Sequence, residues 1–150
     1  FGVKVSAFKS KNKNALYLVA TGKRLAEFLI KEGFLSGDKI KNKLTIPSWI
    51  KCNNEYLRLC IRGLIDTDGS IHRMSNRDYN LARINFRNYN SFLIEEVRDS
   101  LLKLGFHPSK IIRTNGLYLS RQQELHKYLK EIGFSNQKHL DRFNLFLSAP

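Results

Sequence analysis

The stretch IRGLIDTDG at residues 61–69, followed by Ser70 and Ile71, decides how the rest of this chain is interpreted. It combines apolar residues at helical spacing with a closing Asp-Gly, as in a helix that ends directly before a strand. Gly63 removes a side chain from the helix surface, so a second helix could approach closely. Asp68 is predicted just past the helix end, where a carboxylate beside helix carbonyls is a suitable oxygen ligand for Mg²⁺. An ordinary Asp-Gly turn is the alternative interpretation.

The sequence around this stretch predicts one helix and two strands. Asn53 or Asn54 is a suitable cap for a helix from residue 55 to about residue 66. Strands are predicted near residues 70–74 and over residues 79–88, where apolar and polar residues alternate. The alternation places three apolar residues on one face and three polar residues on the other: Ala82, Ile84 and Phe86 against Arg83, Asn85 and Arg87.

The same order of elements follows once more. A helix capped near residue 90 is predicted to end at Gly105. Strands over residues 111–113 and 117–119 flank Asn115-Gly116, a dipeptide typical of two-residue hairpin turns. The next helix is predicted to end at Gly133.

Ser120 and Gln123 form a predicted capping box at the start of that last helix. From residue 54 onward the order is therefore helix, hairpin, helix, hairpin, helix, an αββαββα unit of the α+β class.

The first fifty residues contain a partial copy of this unit. NALYL at residues 14–18 matches NGLYL at residues 115–119, and a Gly-Phe pair follows the next helical pattern in both copies. Two strands and a helix are predicted in the first copy, at residues 3–9, 15–20 and 24–32, which makes it a ββα remnant. We therefore divide the chain into residues 1–50, the end of a first repeat plus a linker, and residues 51–150, a complete second repeat.

The charge of the chain indicates a polyanionic partner. It carries 26 Lys and Arg against 13 Asp and Glu, a formal net charge of +13. A folded chain this basic is typical of nucleic-acid binding, because Lys and Arg that neutralise phosphates release counterions; solubility alone is the alternative. Apolar runs are too short to span a membrane. Cys52 and Cys60 are too few for a disulfide framework, so we expect a reducing intracellular compartment, either cytoplasm or organelle matrix.

Residues 61–69 resemble the LAGLIDADG motif, and the αββαββα unit resembles the fold of the LAGLIDADG homing endonucleases. The motif departs from the family pattern at Ile61, Arg62 and Thr67 and matches it at six positions: Gly63, Leu64, Ile65, Asp66, Asp68 and Gly69. The resemblance implies an antiparallel saddle-shaped sheet on the DNA major groove. It also implies that motif helices pack in pairs, here through Gly63 and Thr67.

The resemblance assigns further roles within a nuclease site. The final motif aspartate, Asp68, would bind Mg²⁺ (or Mn²⁺), whereas Asp66 would be structural. A basic residue after the last sheet-packed helix would support catalysis, and the corresponding positions are Lys138 and, in the first copy, Lys39. Solvated surface lysines are the alternative for both.

The predicted strand faces suggest how DNA would be contacted. Arg can contact guanine with two hydrogen bonds and Asn can contact adenine, so the row Arg83, Asn85 and Arg87 is a plausible major-groove surface. The alternative is a solvated strand edge. Six further residues are candidates for DNA contact: His72 and Asn76 on the preceding strand, Arg113 beside the Asn-Gly turn, and Lys4, Lys11 and Lys13 in the first copy.

The sequence thus predicts a site-specific endonuclease for double-stranded DNA. The alternatives are a DNA- or RNA-binding protein without cleavage on the same scaffold, such as a transcription regulator or an intron maturase, and a nucleic-acid protein without sequence choice. Because the first copy lacks its own motif helix, Gly63 has no predicted partner helix. We expect that partner to be either a missing first-repeat half or a second copy of the chain.

Overall fold

The computed structural model describes residues 2–11, 16–34, 37–38, 40–75, 81–113 and 115–147. The chain forms two units, Phe1–Gly37 and Asp38–Pro150. The first contains β1 (Val5–Lys9), β2 (Leu16–Ala20) and α1 (Lys23–Lys31). The second contains α2 (Ser48–Cys52), α3 (Asn54–Asp68), β3 (Gly69–Arg73), β4 (Ala82–Arg87), α4 (Ser91–Lys103), β5 (Gly116–Leu119), α5 (Gln122–Glu131) and α6 (Gln137–Leu147).

The first unit is the predicted ββα arrangement. Strands β1 and β2 pair in antiparallel fashion, with Val5 opposite Ala20 and Lys9 opposite Leu16. None of the residues of α1 is buried. Leu16 and Leu18 are 65% and 68% exposed. Apolar side chains on this unit therefore remain uncovered by the residues that the structure describes.

The second unit begins with a connector that packs into its core. Ile46 and Ile50 are buried on either side of Pro47, and α2 packs against α3. Glu96 of α4 holds this segment, because its carboxylate accepts hydrogen bonds from the Ile46 backbone and from the Lys51 side chain. The connector is thereby fixed to both α3 and α4.

Helix α3 has the predicted start and a slightly later end. The Asn53 side chain accepts hydrogen bonds from the backbone N–H groups of Glu55 and Tyr56 at 2.8 and 3.2 Å, so Asn53 is the N-cap. The helix continues to Asp68, one half-turn beyond the predicted end, so Asp68 is its last residue rather than the residue past its end. Leu57, Ile61 and Ile65 form its buried face.

A three-stranded antiparallel sheet in the order β3-β4-β5 covers this buried face. Ile71 lies opposite Ile84, and Ile84 lies opposite Leu119. The predicted alternation of β4 is confirmed, since Ala82, Ile84 and Phe86 are buried. Its first predicted residues, 79 and 80, lie outside the described part of the chain.

Three helices complete the core. Helix α4 is capped by Asn90 and followed by Gly105 with a positive φ of 78°, as the sequence predicts. Helix α5 is followed by Gly133 with a φ of 72°. Helix α6, which the sequence analysis did not predict, packs against β3 and buries His139 and Phe143.

The predicted strand over residues 111–113 is wrong. Arg113 has a φ of 49°, a left-handed conformation that interrupts an extended strand, and the pairing seen among the described residues here is one isolated bridge between Ile112 and Gly116. The backbone N–H groups of Asn115 and Gly116 both donate to the carbonyl of Ile112. The tight turn therefore ends before Gly116, which is a strand residue rather than half of a two-residue turn.

The predicted capping box is also wrong. The N-cap of α5 is Arg121, which makes no side-chain cap hydrogen bond. The Gln122 amide instead bonds to both backbone groups of Ala82, accepting at 3.1 Å and donating at 2.9 Å. The start of α5 is thus fixed by the neighbouring strand β4.

Candidate metal and nucleic-acid site

The residues of the 61–69 motif explain the sharp passage from α3 into β3. A β carbon at Gly69 would overlap the backbone oxygen of Ile65 and would lie 2.9 Å from its Cα atom, so only glycine fits there. The Thr67 hydroxyl donates to the carbonyl oxygens of Gly63 and Leu64 at 3.1 and 3.2 Å. The chain therefore passes directly from α3 into β3, and Asp68 is the last residue of the helix.

Asp66 makes contacts that hold a loop in place. Its Oδ2 atom accepts a hydrogen bond from the Ser135 backbone at 2.8 Å, and its carbonyl accepts one from the Asn136 side chain at 3.0 Å. Asn136 in turn accepts from the backbone N–H of Lys138 at 3.1 Å. These contacts attach the start of α6 to the end of the motif helix.

Arg62, a departure from the family pattern, also has a structural contact. Its Nε atom donates to the carbonyl of Ile132 at 2.5 Å, directly after α5. Cations near a helix C-terminus stabilise the unpaired carbonyls there. Arg62 thus joins the motif helix to α5.

Asp68 is exposed and faces a concavity of about 680 Å³. Its Oδ2 atom accepts a hydrogen bond from the Asn88 side chain at 2.7 Å. The walls include apolar, acidic and basic residues, among them Asp38, Leu64, Thr67, Arg87 and Asn88. An acidic residue of α3 and a basic residue of β4 therefore line one concavity.

The donor set fits a hard cation that keeps much of its hydration. Among the described residues, no three His, Cys, Asp or Glu side chains lie together as a metal-binding group. Mg²⁺ is usually held by only one or two carboxylates, with waters and substrate phosphates as its other ligands. Asp68 is exposed, and Asp38 lines the same concavity. These residues could therefore supply one or two carboxylates to Mg²⁺, with waters and a substrate phosphate as its other ligands.

Of the two predicted catalytic lysines, the structure describes Lys138 but not Lys39. Lys138 is exposed in the first turn of α6 and is not among the residues that line the concavity of Asp68. Lys39 lies outside the described residues, although its neighbours Asp38 and Ile40 both line that concavity. Both lysines remain predictions.

The outer face of the sheet brings together the predicted DNA-contacting row. His72 lies opposite Arg83, and Asn85 lies opposite Tyr118, all on the face away from the core. The guanidinium of Arg83 stacks on the Tyr118 ring at 4.8 Å from its centroid, a cation–π contact that fixes its direction. Asn76 lies outside the described residues.

Arg87 and Arg113 line a second concavity of about 400 Å³ at one end of this face. Asn115, Gly116 and Tyr118 also contribute to its walls. Since Arg87 lines the concavity of Asp68 as well, the two concavities share one wall.

A basic residue that the sequence analysis missed joins this surface. The pKa of His72 is lowered, first by burial and then by the positive charges of Arg83, Arg142 and Arg87. Arg142 belongs to α6, so that helix adds a cation beside β3. The spacing of Leu140, Phe143 and Phe146 is a helical signal that could have indicated α6 and its polar face.

The candidate lysines of the first unit flank its first strand. Lys4 precedes β1 and Lys11 follows it, and both are exposed. Lys13 lies outside the described residues. The exposure of Lys4 and Lys11 is compatible with contacts to a phosphate backbone.

One face of α3 is exposed although it is largely apolar. Tyr56 and Leu59 are 47% and 51% exposed, and within the described residues no side chain and no other element lies within 4 Å of the position that a β carbon would take at Gly63. Thr67 continues this face and is exposed. The edge of Tyr56 packs against Trp49, which is itself exposed. This α3 face, consisting of Tyr56, Leu59, Gly63 and Thr67, is free to accept another helix.

These features define an α+β protein in which a helix ends at an exposed carboxylate beside a sheet with a basic outer face. The model of a LAGLIDADG-like domain matches residues 55–133, from the first turn of α3 to the end of α5. The match covers more than half of the chain, which therefore belongs to the LAGLIDADG family, a family that includes homing endonucleases and maturases. No curated protein sequence matches the chain. No helix within the described residues is long and apolar enough to cross a membrane.

Proposed function

We propose that the protein is a site-specific endonuclease of the homing type, which hydrolyses phosphodiester bonds of double-stranded DNA with a divalent metal. One observation supports this most directly: Asp68 and Arg87 line the same concavity. Arg87 also belongs to the basic outer face of the sheet. A phosphate bound by that face would therefore lie near the candidate metal ligand.

Asp68 would hold Mg²⁺ or Mn²⁺, which when bound supplies a Lewis acid for the phosphoryl oxygen and activates water. The protein's own groups have separate roles. Asn88 orients the Asp68 carboxylate through its hydrogen bond. The positive charge of Arg87 attracts the DNA to this site. Lys138 and Lys39 would stabilise the negative charge that develops during hydrolysis.

Sequence choice would come from the outer sheet face. Arg83 and Arg87 present guanidinium groups that match guanine, and Asn85 presents an amide that matches adenine. His72, Asn76 and Arg113 would extend this surface, while Lys4, Lys11 and Lys13 would contact the phosphate backbone.

A complete cleavage site would need a second motif helix. The exposed α3 face fits such a helix, because Gly63 allows close approach. We propose that residues 1–50 are the end of a first repeat plus linker and that residues 51–150 are the second repeat. The partner helix then comes from a first-repeat half or from a second copy of the chain.

A protein that binds nucleic acid without cutting it, as a transcription regulator or intron maturase, is the second candidate. The observation that favours it is the metal-ligand count: the described residues offer Asp68 and no group of three potential ligands. Such a protein would use the same basic sheet face.

Selection followed by cleavage separates the candidates. Duplexes that bind the chain would be selected from a library of random DNA and then incubated with Mg²⁺, Mn²⁺ or EDTA. Metal-dependent hydrolysis of the selected duplex would support the endonuclease. Selective binding without hydrolysis by a chain that is dimeric in solution, and so has paired motif helices, would support the second candidate, and binding without sequence preference would contradict both.

A further inference from the structure

Gly116 lies in a strand where glycine has no conformational advantage. Its φ is not positive, so any residue could adopt its backbone conformation. It is also buried, and as the first residue of β5 it is hydrogen-bonded to Ile112 through both its backbone groups. The reason for glycine must therefore be the space beside it.

That space is occupied by the side chain of Arg87. The two residues lie opposite each other in the register of β4 and β5. A β carbon at Gly116 would lie 3.3 Å from Cγ and 3.7 Å from Nε of Arg87. The first distance is shorter than ordinary carbon–carbon contact. Arg87 thus lies across Gly116, and a β carbon there would require Arg87 to move by a few tenths of an ångström.

The position of Arg87 matters because it forms the wall shared by two concavities. One contains Asp68, and the other is lined by Arg113, Asn115 and Tyr118. Because the Arg87 side chain packs on Gly116 of the sheet, its N–H groups point in a defined direction. Its planar fork matches a pair of acceptor atoms, either O6 and N7 of guanine or two oxygens of a phosphodiester.

We propose that Gly116 is a positioning residue, which holds Arg87 flat against β5 so that it binds an acceptor pair of double-stranded DNA in the Arg113–Tyr118 concavity. This inference rests on the proposed DNA-binding function and adds a residue to it. Gly116 itself contacts no ligand; it acts through Arg87.

A double-mutant cycle tests this dependence. Wild type, Gly116→Ala, Arg87→Ala and the double variant would be compared on a duplex selected by the wild-type chain. We expect Gly116→Ala to weaken binding by about fivefold, the lower end of the range for one bidentate contact, because Arg87 has to move by only a few tenths of an ångström. In the Arg87→Ala background, the same change should alter binding by less than about twofold, because its effect passes through Arg87.

The pattern across sequences identifies the acceptor. A loss confined to one base position assigns the contact to guanine. An equal loss on all duplexes, with a weaker salt dependence, assigns it to a phosphate. Thermal unfolding of each variant would be measured alongside, to verify that all four are folded.

Two results would overturn the proposal: wild-type binding by a folded Gly116→Ala protein, or an undiminished loss in the Arg87→Ala background. Loss of binding by Gly116→Ala through misfolding would appear equally in both backgrounds and counts against it. A wild-type chain that binds no duplex would instead overturn the proposed function itself, and the acceptor assigned here with it.

Discussion

The side-chain amide of Asn88 donates a hydrogen bond to Oδ2 of Asp68 at 2.7 Å. This contact joins the last residue of the motif helix to the residue that follows β4. The carboxylate of Asp68 is therefore oriented by the residue that directly follows Arg83, Asn85 and Arg87 on β4. Outer partners of this kind fix the direction of a ligating carboxylate and raise the affinity for metal.

Replacing Asn88 should therefore weaken metal binding without abolishing cleavage. We expect Asn88→Ala to raise the Mg²⁺ concentration needed for half-maximal cleavage by about 10-fold, with activity recovered at excess Mg²⁺. A titration of cleavage rate against Mg²⁺ measures this. An unchanged titration curve would show that the hydrogen bond does not orient the ligand during catalysis.

The basic sheet face and the first-unit lysines should respond differently to substitution. Arg83→Ala should cost about 1–3 kcal/mol of binding free energy on the preferred duplex and relax the choice at one base position. Lys11→Ala should weaken binding to all sequences alike and reduce the salt dependence. Binding assays over several duplexes and salt concentrations distinguish the two patterns. If Arg83→Ala shows the lysine pattern, the outer face does not contact bases.

The exposed α3 face should affect association rather than folding. Because no other element of the described structure lies within 4 Å of a β carbon at Gly63, Gly63→Leu should not lower the free energy of unfolding, and the higher helix propensity of leucine adds about 1 kcal/mol. Light scattering measures the association. A wild-type dimer that Gly63→Leu converts to a monomer would identify a second copy as the partner.

A wild-type monomer that binds DNA but cannot break both strands would instead identify a missing first-repeat half. Gly63→Leu protein that is strongly destabilised would contradict the exposed position of this face.

His72 should make the stability of the protein depend on pH. Its pKa is lowered in the folded state, first by burial and then by Arg83, Arg142 and Arg87. The unfolded chain therefore binds a proton more readily, and the free energy of unfolding should fall as the pH drops through the unfolded pKa of about 6.5. Urea unfolding of wild type and His72→Gln between about pH 7.5 and pH 5.5 tests this. The variant should lose less stability on acidification, and equal losses would contradict the assignment.

The features that sequence could predict are those set by local spacing. Period-two alternation placed Arg83, Asn85 and Arg87 on one face of β4, and the structure confirms that Ala82, Ile84 and Phe86 are buried beneath them. Likewise, the cap at Asn53 follows from a short-range preference for asparagine before a helix.

Features that depend on distant contacts were not predictable in this way. Arg142 joins the basic face only because α6 packs against β3, far away in sequence. Asn115-Gly116 has the composition of a two-residue turn. The left-handed φ of Arg113, however, places the turn earlier in the chain, so Gly116 belongs to the strand. The space that Gly116 leaves for Arg87 can be recognised only from the strand register.

The central claim is that Asp68 is the metal ligand of a nuclease, and one comparison of variants tests it most directly. Cleavage of the selected duplex with Mg²⁺ would be measured for Asp68→Asn and for Asp66→Asn, a matched change two residues away in the same helix. Asp68→Asn should fold normally, bind DNA with nearly wild-type affinity and lose cleavage by at least about 100-fold.

Asp66→Asn should mainly lower the free energy of unfolding, by about 1 kcal/mol, because the amide oxygen accepts the Ser135 hydrogen bond less strongly than the carboxylate that holds the loop before α6. Cleavage by its folded fraction should persist. Wild-type cleavage by Asp68→Asn, or equal loss of cleavage in two variants that both fold like wild type, would contradict the account.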